Sequence, residues 1–257
     1  MLTIDNLELK NLLTVARGYL GEICYIGDEI QQIPQELKPF IDRITQIESS
    51  SSESLPPRQQ SQAKALFLDR DGVINIDHGY VGKVEQVELI PGIAKFINHA
   101  NHKHYDVNVI TNQSGIGRGY YSEKDYEKVM ACIQRLLDQD QAKLNHIEFA
   151  PYHPDAHDPA YLKGLQFRKP RPGMILKLQQ QFHYDLKNSI LVGDKASDIM
   201  AGVIAGVGRN YLFETEQSEE EWMIFKNWKD SLKKYGLKNE LDEIKVTQLT
   251  DFSEITL

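Results

Sequence analysis

The chain has 257 residues, 41% of them hydrophobic and 26% charged, with a formal net charge of −8. That length allows one sizeable α/β domain with appendages or two small domains, and the composition is ordinary for a folded protein. The negative balance argues against wholesale nucleic-acid binding, which needs clustered positive charge, and no run of about 18 apolar residues exists to span a membrane.

The acidity sits at the ends. Residues 1–48 carry 8 acidic against 4 basic side chains and residues 214–257 carry 11 against 6, which leaves 49–213 close to neutral and able to host an anionic ligand. Cys24 and Cys132 show neither metal nor redox spacing, and the first residues lack the basic start and apolar stretch of a secretory signal. Both point to a protein of the reducing cytoplasm.

In chain order, residues 1–48 read as a helical N-terminal extension. Asp5 and Glu8 have capping-box spacing, followed by Leu9, Leu12, Leu13, Ala16 and Leu20 at helical intervals; a second stripe runs through Leu37, Phe40, Ile41, Ile44 and Ile47. Residues 49–63, rich in Ser, Pro and Gln, have almost nothing to bury and read as a linker.

From 64 to 213, short apolar runs alternate with helical periodicity. Strands are expected at 64–69, 106–110, 147–150, 189–192 and 210–213, and helices near 92–103, 123–139, 173–183 and 197–206. Alternation of this kind predicts an α/β fold, a Rossmann-like three-layer sandwich with a mostly parallel sheet. The tail, 214–257, reads as an acidic, partly helical C-terminal extension: Ser218 and Glu221 are spaced as a capping box, and Trp222, Phe225, Trp228, Leu232 and Tyr235 share one helical face before Gly236.

The chemistry-bearing stretch is Ala65-Leu-Phe-Leu-Asp69-Arg-Asp71-Gly72, an apolar strand running into two carboxylates and a glycine. Strand residues two apart point the same way, so Asp69 and Asp71 face one spot at the carboxyl end of the strand, where open α/β sheets bind ligands. Two further strands end in polar turns, Thr111-Asn112-Gln113-Ser114-Gly115 and Gly193-Asp194-Lys195-Ala-Ser-Asp198, and a proline-stiffened cationic segment, Arg168-Lys169-Pro170-Arg171-Pro172, precedes a helix. A parallel sheet would bring these to one edge. Carboxylates there suit Mg²⁺. One carboxylate can attack phosphorus, a second can serve as general acid and base, and lysine, hydroxyl and N–H donors can stabilise the transferring group.

These four segments, in this order, resemble the four motifs of the haloacid-dehalogenase-like phosphatases. The longer matches, Phe67–Tyr80, Thr111–Gly119, Arg168–Gly173 and Val192–Lys195, look like its heptose 1,7-bisphosphate 7-phosphatase and histidinol phosphatase members. The resemblance covers about 64–213 and implies a minimal cap and a small phosphorylated sugar as substrate, with histidinol phosphate the alternative. It also implies that Asp69 is the nucleophile and Asp71 the general acid/base. Mg²⁺ would be held by Asp69, the Asp71 carbonyl and Asp194, and Thr111, Asn112 and Lys169 would hold the phosphate. Asp77, His78, Gly79, Tyr80, Gln113, Ser114, Arg168 and Lys195 would serve substrate binding. Asp198 could be a metal neighbour or simply a residue in the first turn of a helix, stabilised by its dipole.

One departure stands out. Many relatives carry a zinc loop of the form C-x-H…C-x-C ahead of the Arg-Lys-Pro motif. The matching positions here are Ala150, Tyr152, Leu165 and Phe167, so zinc is not expected, and His153 and His157 do not replace the thiolates. Packing through Tyr152, Tyr161 and Phe167 is the expected substitute. The helical ends, with apolar stripes outside the minimal domain, leave a rival reading open: they serve a protein partner or self-association, with the core as a module or scaffold, or else they complete the fold.

Overall fold

The runs Ala65-Leu-Phe-Leu68 and Ile190-Leu-Val192 lack polar alternation, as strands covered on both faces do. A computed structural model of the chain places both at the centre of a sheet. The structure describes residues 63–215, 217–234 and 245–257. The expected helices at 5–20 and 37–47 and the linker lie outside the described residues, apart from Ala63 at the linker's end.

The sheet has six strands: β1 (Lys64–Leu68), β2 (Tyr105–Asn112), β3 (His146–Ala150), β4 (Ile190–Gly193), β5 (Arg209–Phe213) and β6 (Lys245–Leu249). Their order is β3-β2-β1-β4-β5-β6, and every neighbouring pair is parallel. The chain winds outward from β1 to β2 and β3, then returns to place β4 on the other side of β1. The strand order therefore reverses between β1 and β4, and the crevice outside their carboxyl ends is where such sheets bind ligands. Register brings the two ends level: Leu68 pairs with Val192, and Asp69 N–H donates to the Val192 carbonyl at 3.0 Å.

Helices cover both faces. Leu66 and Leu68, Val107 and Val109, and Ile190 and Val192 point to one side, where α1 (Ile93–His102) brings Ile93, Phe96 and Ile97 and a later helix brings Val129, Met130 and Ile133. Between α1 and that helix, α3 (Glu123–Leu137), lies the single turn α2 (Ser114–Gly117). On the other side Phe67 meets the Tyr184 ring edge-on at 6.1 Å, and α4 (Gly173–Phe182) and α5 (Ala196–Ala205) pack against the sheet and each other. Truncating a core leucine such as Leu66 to alanine costs about 2–5 kcal/mol in sites of this kind.

The tail holds more than a helix. α6 (Ser218–Lys234) follows β5, and Phe225 and Trp228 on its inner face are buried. The chain then adds β6 beside β5, and the following turn inserts Phe252 between Phe213 (ring centroids 4.6 Å apart) and Phe96 (5.1 Å). The sequence reading had no strand here. Lys245-Val-Thr-Gln-Leu249 is a short edge strand with only alternate residues covered, a weak local signal. The Ser218/Glu221 spacing also resolves differently from a simple capping box: Glu221 Oε2 reaches α5 and accepts from the Ala196 N–H at 2.7 Å. Among the described residues no helix is long and apolar enough to cross a membrane.

Candidate active site

Three strands deliver the site. β1 runs into Asp69-Arg70-Asp71, β2 ends in Thr111 and Asn112 with Gln113 next, and β4 runs into Asp194 and Lys195. Lys169 comes from the loop ahead of α4, and Asp198 from the first turn of α5.

Asp69, Asp194 and Asp198 are all buried, and each offers a carboxylate oxygen within 4.8 Å of the others. Asp198 thus lies in the acidic cluster and in the first turn of α5 at once, so the two places open to it in the sequence are not exclusive. Its Oδ1 lies 2.7 Å from Lys169 Nζ, and its Oδ2 accepts from the Lys195 N–H at 3.0 Å, as a cap for α5. Lys169 Nζ also lies 2.8 Å from Asp69 Oδ1, an ion pair that lacks hydrogen-bond alignment, and donates to the Ile110 carbonyl at 2.7 Å. Burial works against the ammonium charge, but Asp198 and then Asp69 outweigh it and hold the lysine protonated.

The balance of charge leaves room for a cation. Three buried carboxylates face one buried ammonium. Burial, followed by Asp198 and Asp69, pushes the Asp194 carboxyl well above the usual carboxylate range. Burial also raises Asp198, although Lys169 opposes it. Asp194 Oδ1 is buried with no hydrogen-bond partner among the described residues. An all-oxygen site with excess negative charge and an orphaned carboxylate oxygen fits a hard divalent cation such as Mg²⁺. Gly72 is part of the same cradle. Its φ is +86°, and a Cβ there would fall 2.3 Å from Asp194 Oδ2.

Asp71 is held apart from this cluster. Arg70, fully buried, grips it with Nε and Nη2 at 2.8–3.1 Å, and Arg70 is itself fixed by the Val81 carbonyl (2.9 Å) and the Tyr126 ring. Asn75 Nδ2 donates to Asp71 Oδ1 and Gln113 Nε2 to Oδ2, each at 3.0 Å. Gln113 also donates to Thr111 Oγ1 at 2.8 Å. Its side chain is therefore engaged beneath the site, whereas the sequence reading placed it among the substrate contacts. Asn112 exchanges two hydrogen bonds of 3.0 Å with the Lys169 backbone, which fixes the Arg-Lys-Pro loop against the end of β2.

The expected substrate residues lie higher. Asp77, His78, Gly79 and Tyr80 form an exposed loop in which Gly79 and Tyr80 both have positive φ. Burial would raise the Asp77 carboxyl, but Lys195 Nζ at 3.0 Å lowers it. Lys195 also approaches Asp194 to 3.9 Å, so it links rim to floor. Tyr80, 48% exposed, meets Tyr120 edge-on at 4.7 Å, and its hydroxyl accepts from Arg118 Nη1 at 2.9 Å. Arg118 Nη2 contacts His153 Nε2 at 2.7 Å, and Arg168 Nη1 reaches the Tyr152 carbonyl at 3.5 Å. Ser114 is half-buried at the start of α2. Arg118, Tyr120 and Tyr121 were not singled out in the sequence, although they follow the Thr-Asn-Gln-Ser turn by only a few residues.

In the loop ahead of the Arg-Lys-Pro segment, the Tyr152 and Phe167 rings lie 6.3 Å apart, Gly164 leaves space for the Tyr152 ring, and Tyr161 packs on the core while its hydroxyl donates to Glu123 Oε1 at 3.1 Å.

Residues 85–220 match the polynucleotide kinase 3 phosphatase family. A D-glycero-alpha-D-manno-heptose-1,7-bisphosphate 7-phosphatase of Burkholderia mallei is 46% identical over 149 residues, 58% of this chain and 79% of that protein. One from Campylobacter jejuni is 40% identical over 172 residues, 66% of this chain and 95% of that protein. Among solved structures, a HAD-like phosphatase of Mesorhizobium loti superposes with a TM-score of 0.58 at 30% identity, over 69% of this chain and 90% of that one. The D,D-heptose 1,7-bisphosphate phosphatase of B. bronchiseptica, solved with magnesium and phosphate, shares the fold at a TM-score of 0.55 and 24% identity, over 66% and 99%. With its sheet, its strand-end carboxylates and these matches, the chain belongs to the polynucleotide kinase 3 phosphatase family of haloacid-dehalogenase-like phosphatases, alongside the heptose-1,7-bisphosphate 7-phosphatases.

Proposed function

We propose that the protein is a magnesium-dependent phosphomonoesterase that removes the 7-phosphate of D-glycero-D-manno-heptose 1,7-bisphosphate, a step of heptose biosynthesis. The observation that carries the reading is the convergence of Asp69, Asp194, Asp198 and Lys169 at the strand-order reversal, with Asp71 held separately beside them. Relatives carrying that activity, 37–46% identical over the catalytic region, supply the substrate.

Asp69 is the nucleophile. Its carboxylate attacks phosphorus and forms an acyl phosphate, while Asp71 protonates the departing sugar oxygen. Asp71 then takes a proton from water as that water attacks the acyl phosphate and frees Asp69. Lys169, Thr111 and Asn112 receive the oxygens of the transferring group, and donors fixed before the substrate arrives stabilise the charge spread over them. Magnesium would be held by Asp69, the Asp71 carbonyl and Asp194, and when bound supplies charge neutralisation at the phosphoryl group. Asp198 positions Lys169. On the rim, Asp77, His78, Gly79, Tyr80, Ser114, Arg168 and Lys195 read the sugar and its second phosphate. A cytoplasmic location goes with this reading, since the two cysteines suit a reducing compartment.

The test is phosphate release from a panel of heptose 1,7-bisphosphate (both anomers), histidinol phosphate and other sugar phosphates, with magnesium and with EDTA, and Asp69→Asn as the blank. Magnesium-dependent turnover of the heptose bisphosphate, absent from the blank, is the expected result. Preferred turnover of histidinol phosphate would overturn the substrate.

A further inference from the structure

The Tyr121 side chain reaches the acid/base through one intermediary. Its hydroxyl donates to Gln113 Oε1 at 2.6 Å, and the Gln113 amide nitrogen in turn donates to Asp71 Oδ2 (3.0 Å) and Thr111 Oγ1 (2.8 Å). An amide has two unlike ends, an acceptor oxygen and a donor nitrogen. Turned over, Gln113 would set its oxygen against a carboxylate oxygen of Asp71 and lose both donations. A hydroxyl donor on the far side holds the amide the right way round. The same arrangement makes Thr111 Oγ1 an acceptor from below, so its own proton is free to point toward the phosphate.

The fold reserves space for that ring. A Cβ at Gly115 would fall 2.3 Å from Tyr121 Cε1, and one at Gly82 would fall 2.5 Å from Cγ. Neither glycine has positive φ, so the close approach of the ring, not the backbone, accounts for them. Burial, only partly offset by Arg70, pushes the Tyr121 hydroxyl up to about 12, so it stays a donor throughout the working pH range.

We infer that Tyr121 is a positioning residue for the phosphoryl-transfer step: by donating to Gln113 it fixes the amide that orients Asp71 and Thr111. This rests on the reading of Asp71 as the acid that protonates the leaving oxygen. It adds that the orientation of this acid depends on a residue outside the four motifs.

The experiment compares two leaving groups. An alkyl phosphate needs a proton on its departing oxygen, whereas p-nitrophenolate leaves readily without one. The parameter is kcat/KM, which reports the steps up to transfer onto Asp69, measured with p-nitrophenyl phosphate and with the alkyl phosphate that the wild-type enzyme turns over fastest. Tyr121→Phe keeps the ring in its slot and removes only the hydroxyl. Its kcat/KM is expected to fall about tenfold on the alkyl ester and much less on the aryl ester, a part of the roughly 10²–10⁴-fold that a positioned acid supplies. A purely structural role would lower both alike. Asp71→Asn is the control and should show the same discrimination more strongly. If Asp71→Asn discriminates and Tyr121→Phe does not, the inference is overturned and the acid assignment stands. If Asp71→Asn does not discriminate, the acid assignment itself fails, and the inference with it. As a second measure, Tyr121→Phe should add nothing in a Gln113→Met background, because Tyr121 acts through that amide. A full additional loss there would overturn the relay.

Discussion

The floor of the site and its rim are built by different means. Asp69, Asp194, Asp198 and Lys169 are buried, come from strand ends, a helix start and the loop ahead of α4, and neutralise one another only in part. Asp77, His78, Gly79 and Tyr80 stand on an exposed loop, with Tyr120 beside Tyr80, and their contacts are single hydrogen bonds, one ion pair and a pair of rings. Charges in the floor interact in a medium that screens them poorly, so each is tightly coupled to the next. Those on the rim are screened and can be exchanged one at a time. On the proposed reading, the floor therefore constrains the chemistry and the rim is free to set the substrate.

The sharpest test of that contrast is Asp69→Asn, which should lower kcat by about four orders of magnitude or more, as removing a nucleophile does. Phosphate release measured against Tyr80→Ala completes it: the rim variant should raise KM several-fold while keeping kcat within about a factor of two, the pattern of lost binding that is uniform along the reaction. If Tyr80→Ala lowered kcat as steeply as a floor variant does, the division would collapse.

Next in size is Lys169→Met. It strands Asp69 and Asp198 without their buried cation, and breaking such a pair costs about 3–5 kcal/mol. Urea unfolding without magnesium should show that loss, and magnesium should restore part of it. Lys195→Ala, on a half-exposed side chain, should move stability by less than about 1 kcal/mol.

Gly72→Ala probes the wall between floor and rim. The left-handed backbone alone costs about 1 kcal/mol on gaining a Cβ, and the clash with Asp194 must displace that carboxylate. The magnesium concentration for half-maximal activity should rise about tenfold, with the KM for substrate little changed. The smallest effect is expected at Glu221→Ala. It removes the carboxylate that α6 lends to the first turn of α5, worth about 1 kcal/mol in thermal unfolding. A loss of kcat there beyond about threefold would mean that the tail shapes the floor as well as the fold.

Much of this was legible from residues alone, because the relevant signals are local. The five strands from β1 to β5 and the helices α1, α3, α4 and α5 appear where apolar runs and helical periodicity placed them, to within a few residues. The period of a strand put Asp69 and Asp71 on one spot, but β1 ends at Leu68 and Asp71 turns instead to Arg70, Asn75 and Gln113; the gathering of the Thr111, Lys169 and Asp194 segments does follow from parallel alternation.

Other features depended on contacts between parts of the chain that carry no mark of each other. Asp198 could have been an ordinary first-turn residue, and only the approach of Lys169 from another loop makes it part of the acidic cluster. Gln113 reads as one more residue of a polar turn until Asp71 and Tyr121 close on its two ends. β6 carries the short, half-covered pattern of an edge strand, and its place was decided by β5 beside it and by Phe252 filling the gap between Phe96 and Phe213. Sequence by itself thus determined the fold class and singled out the groups proposed to react, since periodicity and motif spacing act over a few residues. Tertiary structure decided which way each polar group faces and which charges share a buried volume, because those depend on distances between segments far apart in the chain.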